Sequence, residues 1–222
     1  MDYCIEEVKA HFKGLQEILF IPYARPSGIS LDEYTRIVRE RLDKINLKVK
    51  GIHEFENPLK ALDDFSGIYI GGGNTFLLIK SLYENELMQG IRDRVEDGRM
   101  KYMGSSAGTN VACKTVNNTN DMPIVYPPSF EGLSLVPFNI NPHYLDPDPT
   151  SKHKGETRET RINEFHFQSP ITVVGLREGS WFKLKDGDLS LGGNHSARVF
   201  RAGQDTTEMS PEADFNFLME SA

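Results

Sequence analysis

The stretch richest in chemistry is Tyr102-Met103-Gly104-Ser105-Ser106-Ala107-Gly108-Thr109-Asn110, where a G-x-S-x-G core separates a short apolar run from small residues. A strand that turns sharply into a helix through such a core exposes its middle serine, Ser106. Small neighbours relieve the crowding, and the Ala107 amide at the helix start can hold an oxyanion. The plainer reading is a glycine turn with solvated serines, and the strand-elbow-helix setting is what favours a nucleophile. A second glycine cluster, Gly71-Gly72-Gly73-Asn74-Thr75, again falls where an apolar run gives way to a helical one. Its free amides suit a carboxylate, phosphate or oxyanion, with a tight turn alone as the plainer alternative. The pattern is neither G-x-G-x-x-G nor a phosphate loop ending in Lys-Ser/Thr, so nucleotide binding is weakly supported.

A serine hydroxyl needs a base, and the histidines available are His11, His53, His143, His153, His166 and His195. His11 and His166 fall on predicted helices, and His53 follows an earlier strand. His143 follows the apolar stretch Asn139-Ile140-Asn141-Pro142 at the start of a long loop, where a base is commonly placed. His153, in the same loop, is its nearest rival. The local basic concentration Lys152-His153-Lys154-Gly155-Glu156-Thr157-Arg158 stands out in an acidic protein and reads, on residues alone, as a solvated helix start in which Arg158 pairs with Glu156 or Glu159.

These groups need a frame. Residues 17–24 and 67–70 are apolar runs of the kind buried parallel strands have, with shorter strands around Val49–Ile52 and Lys101–Met103. Ser30-Leu31-Asp32-Glu33 fits an S-x-x-E capping box, and Tyr34, Ile37, Val38, Leu42 and Ile45 follow at helical spacing. Further helices are predicted around Pro58–Leu62, Thr75–Tyr83 and Leu87–Asp97. The alternation of strand and helix argues for a mostly parallel sheet between two helical layers, with functional groups at the carboxyl ends of the strands. The second half reads as polar loops at 117–128 and 141–155, a helix over 156–167, a strand at 171–176, a hairpin joining 181–184 to 189–191, and a last strand at 197–200. The tail 206–222 is acidic, weakly patterned and expected to fray.

The chain has 222 residues, suited to one domain, with 38% hydrophobic and 26% charged residues, as in an ordinary globule. No apolar run is long enough to span a bilayer and no secretory signal is visible, so a cytoplasmic location without a membrane partner is expected. A net charge of −7 disfavours nucleic acid. Cys4 and Cys113 form neither a CxxC pair nor a metal-like spacing.

With these motifs in view, the chain resembles the aspartyl dipeptidases, or peptidase E, a serine peptidase family related to class I glutamine amidotransferases. The matching segments are GGGNTF at 71–76, GSSAGTNVAC at 104–113, TNDMPIV at 119–125, NPHY at 141–144, HKGETRETRI at 153–162 and LREGSW at 176–181. The resemblance implies a three-layer α/β/α, flavodoxin-like fold of the class I amidotransferase type over residues 1–222. It implies Ser106 as nucleophile, His143 as base and an oxyanion hole from the Gly73 and Ala107 amides. The carboxylate behind His143 is implied to be Glu178, with Asp121 as rival. It also implies substrate contacts from Asn74, Thr75 and Arg158, the arginine facing the side chain of an N-terminal aspartate. The implied reaction is hydrolysis of Asp-X dipeptides without metal or cofactor, by a monomer or homodimer. A relative acting on cyanophycin-like or isoaspartyl peptides is the near alternative, and a non-catalytic binder of an acidic metabolite the distant one. Family members begin with an apolar strand ahead of the helix that here starts at Tyr3, so an inner strand is expected to be missing from the sheet.

Overall fold

The computed structural model describes residues 2–25, 28–147, 150 and 155–220. His153 and its neighbours Lys152 and Lys154 lie outside the described residues.

The first half alternates helix and strand: α1 (Ile5–His11), β1 (Glu17–Ile21), α2 (Leu31–Leu42), β2 (Lys48–Gly51), α3 (Pro58–Ala61), β3 (Gly67–Ile70), α4 (Thr75–Glu84), α5 (Leu87–Glu96), β4 (Lys101–Gly104) and α6 (Ala107–Ala112). Ser30 caps α2 by accepting from the Glu33 amide at 3.1 Å, as the capping motif predicts. The four strands pair in the order β2-β1-β3-β4, all parallel. Because side chains alternate along a strand, β1 faces two ways. Ile18 and Phe20 pack with Phe12, Tyr34, Val38 and Leu42 under α1 and α2. Leu19 and Ile21 pack with Leu78, Ile79, Leu82 and Ile91 under α4 and α5. Burying an aliphatic or aromatic side chain of this kind contributes about 1.5–3 kcal/mol, so the core on each face, more than any single bond, holds the three layers.

The second half comprises β5 (Asn139–Pro142), α7 (Arg158–His166), β6 (Val173–Leu176), β7 (Trp181–Lys185), β8 (Asp188–Gly192), β9 (Ala197–Phe200) and β10 (Thr207–Met209). β5 and β6 are parallel, whereas β9 and β10 join them antiparallel in the order β10-β9-β6-β5. The β7–β8 hairpin turns at Asp186 and Gly187, whose φ angles of 53° and 85° suit the twist of a two-residue turn.

The strands are mostly parallel and helices cover them, as expected, and pairing runs in two four-stranded sheets, with none of the described strands pairing with both β4 and β5. One expectation needs correction. The tail read as frayed packs instead: Thr207–Met209 adds to β9, and Phe215 and Leu218 are fully buried. The Phe215 ring lies 5.3 Å from that of Phe182, so tertiary burial supplies the order that local pattern lacks.

Candidate active site

The carboxyl ends of β3, β4, β5 and β6 carry the groups singled out by the sequence. After β4 the chain turns at Ser106, whose φ of 53° and ψ of −111° lie outside the regions an L-residue prefers. The turn is possible because Gly108 lies so close to β3 that any side chain there would overlap the Ile70 carbonyl. Tyr102 holds the same spot from β4, its hydroxyl donating to the Gly108 carbonyl at 2.6 Å. Tyr69, on β3, reaches the hydroxyl of Ser105 at 2.9 Å, and burial raises its phenol pKa well above the ordinary value.

The structure brings Ser106, His143 and Glu178 into one line. His143 Nε2 lies 2.9 Å from Ser106 Oγ, and Nδ1 contacts Glu178 Oε1. A carboxylate facing Nδ1 keeps the proton on that nitrogen and leaves Nε2 to accept from the serine hydroxyl, the tautomer a general base needs. His143 has a φ of 55°, so the residue itself turns the chain out of β5 and toward the serine. The imidazole and the Glu178 side chain are 51% and 67% exposed, which leaves the line open to a ligand.

Asp121 goes elsewhere. Its Oδ2 accepts from the Thr75 amide at 2.8 Å and the Thr75 hydroxyl at 2.6 Å, so it tethers the 119–125 loop to the start of α4. Thr75 is fully buried and also meets Asn110 and Thr119. Its expected contact with substrate is therefore corrected: the hydroxyl supports the glycine loop from behind. Asn74 caps α4 through the Leu77 amide at 3.0 Å and donates to the Met122 carbonyl at 2.8 Å, so both ends of its amide are engaged. The Gly73 and Ala107 amides have no acceptor among the described residues. Gly73 has a φ of 146° and packs so tightly on the Ala24 backbone that only glycine fits. The Gly72 carbonyl is held by the Tyr34 hydroxyl at 3.1 Å.

Arg158 opens α7 and, among the described residues, pairs with neither carboxylate that the sequence offered. Glu156 faces Arg161 at 3.7 Å and Glu159 faces Arg198 at 3.1 Å. Burial lowers the Arg158 pKa, as does Arg161, while Asp121 raises it. It lines a small cleft of about 60 Å³ with Asn118, Asn120, Asn141, Arg161 and Ile162. Sequence reading gave no role to Asn120, which donates to the Pro142 carbonyl at 2.8 Å just before His143, nor to Tyr69 and Tyr102. Asn120 and Tyr102 lie inside quoted motifs, but nothing there says which neighbour their polar tips reach. Of the other histidines, His53 meets Asp32 and His166 meets the Ile171 carbonyl, and burial lowers the pKa of His11. Among the described residues no group of His, Cys, Asp and Glu side chains is arranged to hold a metal ion.

A hydroxyl, an imidazole and a carboxylate in series at the ends of parallel strands, with free amides nearby, define the class of serine-type peptidases. The description Peptidase family S51 matches residues 2–192, and the chain belongs to that family. It is 46% identical over 207 residues to the "Probable alpha-aspartyl dipeptidase" of Drosophila melanogaster, covering 93% of this chain and 85% of that one. It is 44% identical over 220 residues to the "Peptidase E" of Streptomyces coelicolor, covering 99% and 89%. Among solved structures, a peptidase from an acI-B1 Actinobacterium superposes with a TM-score of 0.71 over 97% of this chain and 91% of that one, at 18% identity. That likeness concerns the fold. No helix among the described residues is long and apolar enough to cross a membrane.

Proposed function

We propose that this peptidase hydrolyses dipeptides with an N-terminal aspartate, using Ser106 as nucleophile, His143 as general base and Glu178 as the carboxylate behind it. The observation that carries the reading is the unbroken line from Glu178 through His143 to Ser106. In the first step Ser106 Oγ bonds to the scissile carbonyl carbon as its proton passes to His143 Nε2. The Gly73 and Ala107 amides hold the charge on the carbonyl oxygen, and the imidazolium then protonates the leaving amine. Water, activated by the same imidazole, releases the acyl group. Glu178 stabilises the imidazolium without taking its proton.

Specificity is assigned to Arg158. Its planar guanidinium is uncommitted among the described residues, and it can take a carboxylate through two parallel hydrogen bonds, a geometry lysine does not offer. The Drosophila relative's name, alpha-aspartyl dipeptidase, supports an aspartyl dipeptide as the substrate class. A purely binding domain would have no use for the strained φ/ψ combination of Ser106, which argues for catalysis over the alternative of a metabolite binder. The test is the rate on Asp-Leu and Ala-Leu before and after Arg158→Ala. Cleavage of Asp-Leu should fall by about 10²-fold or more, as expected when a carboxylate loses its charged partner, while residual Ala-Leu cleavage changes little. Equal losses on both substrates would remove Arg158 from the specificity role.

A further inference from the structure

The backbone bond from the Tyr144 amide to the Leu176 carbonyl at 3.1 Å lies past the paired ends of β5 and β6, and His143 and Glu178 flank it outside the two strands. An exposed histidine–carboxylate contact is weakly held on its own. A stronger contact spans the same gap. Arg177, one residue before Glu178, grips Asp146, three residues after His143, as a fork: Nε to Oδ2 at 2.9 Å and Nη2 to Oδ1 at 2.7 Å. Nη1 of the same guanidinium donates to the Ser196 carbonyl and to Glu208 Oε1, each at 2.5 Å, and the group lies 5.8 Å from the centre of the Tyr144 ring. The Arg177 side chain is only 18% exposed. The series continues through Arg198, which is 3.5 Å from Asp146 and 3.1 Å from Glu159. Glu159 directly follows Arg158.

We propose that this alternating series, Glu208–Arg177–Asp146–Arg198–Glu159, positions the acid–base pair and the specificity arginine together, with Arg177 and Asp146 setting the His143–Glu178 distance and Arg198 with Glu159 setting the start of α7. The inference rests on the roles proposed above for His143, Glu178 and Arg158. None of the series touches the reacting atoms, so its members are positioning residues. The bidentate fork matters because it fixes orientation as well as distance, which a lysine ammonium cannot do. The Arg177 fork joins the two loops one and three residues from the catalytic pair, so a small shift there is passed to the Nε2–Oγ distance, to which proton transfer is steeply sensitive.

The two arms predict opposite kinetic signatures on Asp-Leu. Asp146→Asn and Arg177→Lys should each lower kcat by about 10- to 100-fold and leave KM within about twofold, whereas Glu159→Gln should raise KM several-fold at nearly constant kcat. A second readout needs no activity: the Nδ1–H proton of His143, held by Glu178, should give a downfield proton resonance in the parent that exchanges away in Asp146→Asn. A merely structural role would lower the melting temperature without separating kcat from KM and without moving that resonance, and this result would overturn the proposal. If the parent fails to cleave Asp-Leu, the peptidase specificity falls while the resonance still decides the positioning role: its loss in Asp146→Asn supports it and its persistence refutes it.

Discussion

The end of β4 and the ends of β5 and β6 solve the placement of a reactive group in different ways. At β4 the backbone does it locally: Ser106 is thrust out by a strained φ/ψ pair, and the turn brings Gly108 hard against the Ile70 carbonyl, where no side chain would fit. At β5 and β6 the groups sit on more exposed chain, and although a positive φ at His143 turns the chain out of β5, side chains from distant segments hold its neighbours: Asn120 on the Pro142 carbonyl, and Arg177 across to Asp146. The proposed nucleophile is therefore carried by a short motif, while the proposed base and supporting carboxylate also depend on contacts remote in sequence. Mutations at the elbow should fail by sterics or chemistry, and those at the other strand ends by misplacement.

The largest effect expected from this contrast is at the serine. Ser106→Ala should lower turnover of Asp-Leu by about 10⁴-fold or more with the fold intact, as checked by steady-state kinetics and circular dichroism. Next, Glu178→Gln should cost about 10²- to 10³-fold in kcat, because the imidazolium loses its partner. Asp121→Asn, which removes a tether to Thr75 and no contact to His143, should cost less than about tenfold. Parallel kinetics on the two variants separate the carboxylates, and the reverse order would exchange their roles.

A steric failure is expected at Gly108. Gly108→Ala should destabilise the protein by about 1–3 kcal/mol by overpacking the elbow against β3, measured by urea unfolding, with the remaining folded fraction poorly active. The smallest effect concerns acid. Asp146 has its carboxyl pKa lowered, first by the Arg177 hydrogen bonds and against a smaller opposing effect of burial. A depressed folded-state pKa gives stability that is present above the ordinary carboxylate range and lost as pH falls through the lowered value. The melting-temperature gap between the parent and Asp146→Asn should thus hold above the ordinary carboxylate range, narrow as pH falls below it, and close only beneath the lowered value of Asp146. Since Asp146 is half exposed, the gap should correspond to no more than about 1 kcal/mol.

The same contrast explains what could be read from residues alone. The runs 17–21 and 67–70 are buried on both faces and nearly all apolar, so they declare themselves as inner parallel strands. The elbow and the hairpin at Asp186-Gly187 are legible because their backbone conformations demand small or turn-forming residues. Arg177 and Asn120 lie in quoted motifs and Asp146 in none, but their contacts arise only when β5 and β6 come together. The resemblance implied Thr75 as a ligand contact, yet the first turn of α4 directs it inward to Asp121. Phe215 and Leu218 sit in an acidic stretch with no period, and only the core under β8 and β9 gives them a place.

The central claim is covalent: the acyl group of the substrate passes through Ser106. It is tested most directly by quenching the enzyme with acid during turnover of an activated aspartyl substrate and mapping the protein by peptide mass. An aspartyl adduct on the peptide bearing Ser106, absent from Ser106→Ala, is the predicted result. Undiminished hydrolysis by Ser106→Ala, with no adduct on Ser106 in the parent, would contradict it.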